Sequence, residues 1–192
     1  MDNKQYKSIV LYLGKHIGET FTMHQLSKLT EIPYATLYRT IKEDSHLFAV
    51  ENVGKAKTIK LRLNNPIIKS YLIMHSFEEM RFFLKQHPII NKIKSELKTK
   101  DIVLLFGSYA KGEKTEKSDI DLLIINKDGK RSISFSKYEL LFKKKINPIF
   151  ITKKEFKLML KDKEENVGKQ ALKDHIILNN PEEFWKEVLN AI

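Results

Sequence analysis

At 192 residues, 42% hydrophobic and 31% charged, the chain is long enough for two small domains and too apolar to be disordered. It has no cysteine, which excludes disulfides, thiol catalysis and cysteine-ligated zinc. A net charge of +11 fits a polyanionic partner, nucleic acid or nucleotide, and fits equally a lysine-rich composition. No apolar run reaches the roughly 18 residues of a membrane span. The opening MDNKQYKS lacks a signal-peptide core. A soluble, cytoplasmic protein with no membrane partner is the expectation.

Residues 4 to 17 carry Tyr6, Ile9, Val10, Leu13 and Ile17 at helical spacing. Thr22 is placed to cap a second helix, with Leu26 and Leu29 inward. Pro33 makes the turn, because it cannot continue a helix and biases Ile32 away from one. A third helix over 34 to 44 has Leu37 and Ile41 four apart on its buried face. Alternating strands over 47 to 53 and 58 to 63 flank Gly54-Lys55-Ala56-Lys57, a hairpin with a basic tip. This order over residues 1 to 65 resembles the winged helix-turn-helix of prokaryotic transcription regulators. The resemblance implies double-stranded DNA as partner, with the third helix in the major groove. Thr36, Arg39 and Thr40 would face DNA, Arg39 and Lys42 could also meet phosphate, and Lys55 and Lys57 would hold the backbone from the wing. A winged helix used only for protein contacts is the alternative.

Asn64-Asn65-Pro66 is a turn and marks a domain boundary. A linking segment, 66 to 87, then reads as one long helix ended by His87-Pro88. Its apolar positions exceed one face, so it is expected to pack on both domains or on a second copy, making a homodimer. The rest, 88 to 192, is expected to hold a helix over 88 to 98, strands over 102 to 106 and 122 to 125, a helix over 138 to 144, and a strand over 146 to 152. Thr152 is placed to cap a helix over 153 to 161, and two helices, 167 to 178 and 182 to 191, close the chain.

The chemistry lies in DIVLLFGSYAKGEKTEKSDIDLLII. An apolar strand ends in Gly107-Ser108, ten residues follow, then Asp119-Ile120-Asp121 and a second apolar strand. Alternate strand residues share a face, so the two carboxylates can hold a divalent cation jointly. Gly107 permits a tight turn and close approach of a phosphate, and Ser108 adds a hydroxyl. This pattern resembles the DNA polymerase β-like nucleotidyltransferases, specifically their minimal prokaryotic branch. Gly107, Ser108, Asp119 and Asp121 fall on the signature, and Gly112 and Ser118 match what that branch shows. Lys111 stands where an Arg is common; it keeps the charge but loses the bidentate fork.

The resemblance implies an α+β fold: the winged helix, then a mixed sheet with flanking helices and the site at one sheet edge. It implies Asp119 and Asp121 as catalytic metal ligands for Mg2+ or Mn2+, with Gly107, Ser108, Lys111 and Ser118 toward a nucleoside triphosphate. The family's third carboxylate falls on Asn147, which cannot act as a base near pH 7. Either another acid such as Glu139 folds into place, or the enzyme is weakened. The implied functions are nucleotidyl transfer to an unknown acceptor, regulation of transcription by a degenerate nucleotide sensor, or an antitoxin-like action on a protein acceptor or toxin partner.

Overall fold

The computed structural model describes residues 4–54 and 56–192, with side chains from Ile9 onward, so Lys55 and the side chain of Tyr6 lie outside it. Two compact units divide the chain between His75 and Ser76.

The first unit holds α1 (Lys4–Lys15), β1 (Phe21–Thr22), α2 (Met23–Leu29), α3 (Tyr34–Glu43), β2 (Phe48–Val53) and β3 (Ala56–Leu61). Thr22 closes a capping box with Gln25, which fixes the start of α2. Ile9, Val10, Leu13, Leu26, Leu37 and Ile41 are buried, as their spacing requires, whereas Leu29 is 51% exposed. Leu29 is the last residue of α2, where the chain leaves the buried stripe. The hairpin is tighter than expected: the strands already pair at Val53 and Ala56. β1 adds a third strand, giving the order β1-β3-β2. The sequence reading missed it because two residues carry no period.

Helix α4 (Ile67–Gln86) runs across the boundary between the units. Ile68 and Leu72 are buried in its first half, and Met80 joins the core of the second unit.

The second unit begins with α5 (Pro88–Glu96) and β4 (Ile102–Phe106), followed by α6 (Gly107–Lys111) and β5 (Ile120–Asn126). Next come α7 (Ser136–Phe142), β6 (Ile146–Thr152), α8 (Lys153–Lys161), α9 (Val167–Lys173), β7 (Ile176–Asn179) and α10 (Pro181–Leu189). The sheet order is β6-β5-β4-β7. β5 and β6 are parallel and the other pairings antiparallel, so the sheet is mixed. All five residues of β4 are buried, which is why it reads as a continuous apolar run rather than an alternation. Val103, Leu105, Leu122 and Ile124 pack with Ile90, Ile93 and Tyr138. Helices α8 and α10 lie against β5 and β4, and Trp185 of α10 donates its indole N–H to Ser76 Oγ at 2.9 Å.

One predicted element is wrong. The helix expected over 167 to 178 stops at Lys173, and Ile176–Asn179 is the edge strand β7, paired antiparallel with β4. A short apolar run does not distinguish a buried strand from a buried helix; here the open side of β4 decides.

Candidate active site

The site is built where β4 ends and β5 and β6 begin. Gly107 has φ +69°, and a Cβ there would lie 2.5 Å from Asp121 Oδ2. Glycine is therefore required twice, by the backbone and by the carboxylate packed on it. The close approach follows from register, since Phe106 pairs with Asp121 across the antiparallel β4–β5 ladder. Ser108 sits in the first turn of α6, which ends at Gly112 in the left-handed conformation.

Across the parallel β5–β6 ladder Asp121 pairs with Asn147. The Asn147 Nδ2 group donates to Asp119 Oδ2 and to Asp121 Oδ1, each at 3.2 Å. The two carboxylates thus converge on one point, as the i, i+2 spacing requires. Lys145 Nζ lies 3.5 Å from Asp119 Oδ2. The sequence reading did not place Lys145 at the site; its signal was the same alternation, two residues before Asn147. Glu139 does not join the pair, because its carboxylate accepts the backbone N–H of Ile146 at 2.9 Å. Among the described residues no three His, Asp or Glu side chains are placed to hold a metal ion together.

Two flanking residues are engaged locally. Ser118 Oγ accepts the backbone N–H of Thr115 at 2.8 Å and holds the turn before Asp119. Lys111 Nζ pairs with Asp174 at 3.6 Å, both half-exposed, so the cation is available at small cost.

In the first unit, Arg39 and Lys42 are exposed on α3, while Thr36 and Thr40 are half-buried on its flank. Tyr38, 44% exposed, was not anticipated on this face. Lys42 of α3 and Lys57 of β3 line one hollow of about 330 Å3 with Tyr38 and Val50, so helix and hairpin present cations to the same space.

A 65-residue stretch is 42% identical to a candidate protein adenylyltransferase of Methanocaldococcus jannaschii, covering 34% of this chain and 61% of the relative. Another candidate protein adenylyltransferase of that organism is 39% identical over 92 residues, 42% of this chain and 92% of the relative. A third shares 43% over 51 residues, 27% of this chain and 49% of the relative. The chain therefore spans only about half to three fifths of the first and third of these. No solved structure matches significantly. The profile of the nucleotidyltransferase domain matches residues 89–190, which takes in Gly107, Ser108, Asp119, Asp121 and Asn147. With its fold, its paired carboxylates and more than half its length on that profile, the chain belongs to the nucleotidyltransferase domain family.

Proposed function

We propose that the second unit transfers a nucleoside monophosphate from a nucleoside triphosphate to an acceptor oxygen, releasing pyrophosphate. The observation that carries this reading is the convergence of Asp119 and Asp121 on one point, with Gly107 shaped to admit the Asp121 carboxylate. The donor set fits one hard divalent cation: two carboxylates supply oxygen, and phosphate and water complete an octahedron. Bound there, Mg2+ or Mn2+ would neutralise the phosphates and favour departure of pyrophosphate.

The chain's own residues divide the remaining work. Gly107 lets the Asp121 carboxylate pack directly on the backbone, and Ser108 offers the triphosphate a hydroxyl. Lys111 exchanges Asp174 for phosphate and acts as a point charge. Asn147 keeps the carboxylates together but takes no proton from the acceptor. In the balanced step the acceptor oxygen forms a bond to the α-phosphorus as the bond to the β-phosphate oxygen breaks. The acceptor's proton goes to solvent. The relatives' names make a protein side chain the first acceptor to try.

Asn147 also favours a second reading, a nucleotide sensor that transfers slowly or not at all. In both readings the first unit would bind duplex DNA, supported by three helices followed by a basic hairpin. An antitoxin-like role is the remaining form of protein-directed transfer. The test is pyrophosphate release from ATP and the other triphosphates with Mg2+ or Mn2+. Release that disappears in Asp119→Asn and Asp121→Asn supports transfer. Triphosphate binding without release, lost in the same variants, supports the sensor. No binding in any condition overturns both.

A further inference from the structure

The far end of the same sheet carries a cleft that the transferase reading does not use. It opens where β4 starts and β5, β6 and β7 end, and it encloses about 740 Å3. β5 runs from the carboxylate pair to this cleft over seven residues, so roughly 20 Å separates the two places. The buried Ile102 and Ile125 line it, and Lys100, Lys127, Lys153 and Lys154 stand around it.

Most of the other polar groups there are already matched. Lys153 bridges Glu183 and Glu187. The Asp101 carboxylate accepts the Ser132 hydroxyl at 2.6 Å, which orients it and leaves its charge, so Lys100, Lys127, Lys153 and Lys154 face the carboxylates of Asp101 and Glu183 and the lining stays net positive. The Asn126 amide spans Lys130 O and the Gly129 N–H. Asn180 donates to Lys100 O and caps α10. What remains is Lys100, Lys127 and Lys154, three exposed ammonium groups without a carboxylate partner among the described residues.

Like charges gathered around a concave wall repel, and the concavity concentrates their field outward. A multiply charged anion relieves this, and lysine is a common phosphate partner. The volume lies within the range of small-molecule sites and suits a molecule no larger than a nucleotide. We propose that this cleft binds a small phosphorylated molecule through Lys100, Lys127 and Lys154, without a divalent cation and separately from Asp119 and Asp121.

The experiment is calorimetric titration of the full chain with inorganic pyrophosphate and with ADP, in EDTA at fixed ionic strength. The expected result is saturable binding of either, weakened at least tenfold in Lys127→Ala/Lys154→Ala and unchanged in Ser108→Ala/Lys111→Ala. Both lysines are exposed, so the double variant should keep the wild-type circular dichroism and melting curve. Absence of saturable binding overturns the proposal, as does binding indifferent to the lysines or lost with Ser108 and Lys111. Lysine-dependent binding of a DNA duplex, with none of pyrophosphate or ADP, overturns it in favour of a nucleic-acid surface.

Discussion

Asn147 donates its amide to both carboxylates, where an acid would repel them and draw in a second cation. Asn147→Asp should therefore tighten divalent-cation binding and raise pyrophosphate release, measured by Mn2+ calorimetry and a release assay. Should the variant change neither, while Glu139→Gln removes activity, the third acid lies elsewhere. A second residue, Glu96, gives a pH signature. Its carboxylate accepts from Lys137 at 2.6 Å, pairs with Lys92 and accepts the Tyr138 hydroxyl, and these partners lower its pKa from 4.5 to about 2. A lowered folded-state pKa contributes stability that is complete above about pH 4.5 and lost as pH falls toward 2. The melting temperatures of wild type and Glu96→Gln should accordingly converge over that window. A difference that stays constant down to pH 2 would remove Glu96 from the acid response.

At the scale of elements, α3 and the β2–β3 hairpin form the basic side of the first unit. Lys42 and Lys57 face one hollow, and Arg39 is exposed beside them. If this side meets DNA phosphates, each lost lysine contact lowers the salt dependence of binding by about 0.9. Lys55→Ala/Lys57→Ala in the full chain should reduce the slope of log K against log salt by about 2. An unchanged slope would take the hairpin out of the interface. The half-buried Thr36 and Thr40 are less accessible than Arg39, Lys42 and Tyr38. Substituting the threonines is thus expected to perturb DNA binding less than substituting Arg39.

At the scale of the whole molecule, α4 is the element both units share. Along its 20 residues Met74, Phe77 and Phe82 are exposed, Phe82 by 66%. Such a row of large apolar side chains on one helix favours contact with a second copy. Light scattering at increasing concentration should show a dimer, and Phe77→Ser/Phe82→Ser should return it to a monomer. A wild-type chain that stays monomeric throughout would leave the row without a role in assembly.

Local rules in the sequence determined much of this protein. Thr22 and Thr152 begin helices because their hydroxyls satisfy free backbone N–H groups, whatever lies around them. The apolar run 102 to 106 is a strand, and Asp119 and Asp121 share a face, because backbone periodicity dictates it. The resemblance pointed to Asn147, and the parallel register sets it opposite Asp121. Tertiary structure decided what depends on partners distant in sequence. Residues Ile176–Asn179 became a strand because β4 offered an open ladder, not because their own pattern excluded helix. Glu139 was turned away from the carboxylates by the N–H of Ile146, and Lys145 was brought to Asp119 by the β5–β6 register. The lysine-lined cleft draws on residues from 100 to 183. No sequence period joins them; only the packing of four strand ends does.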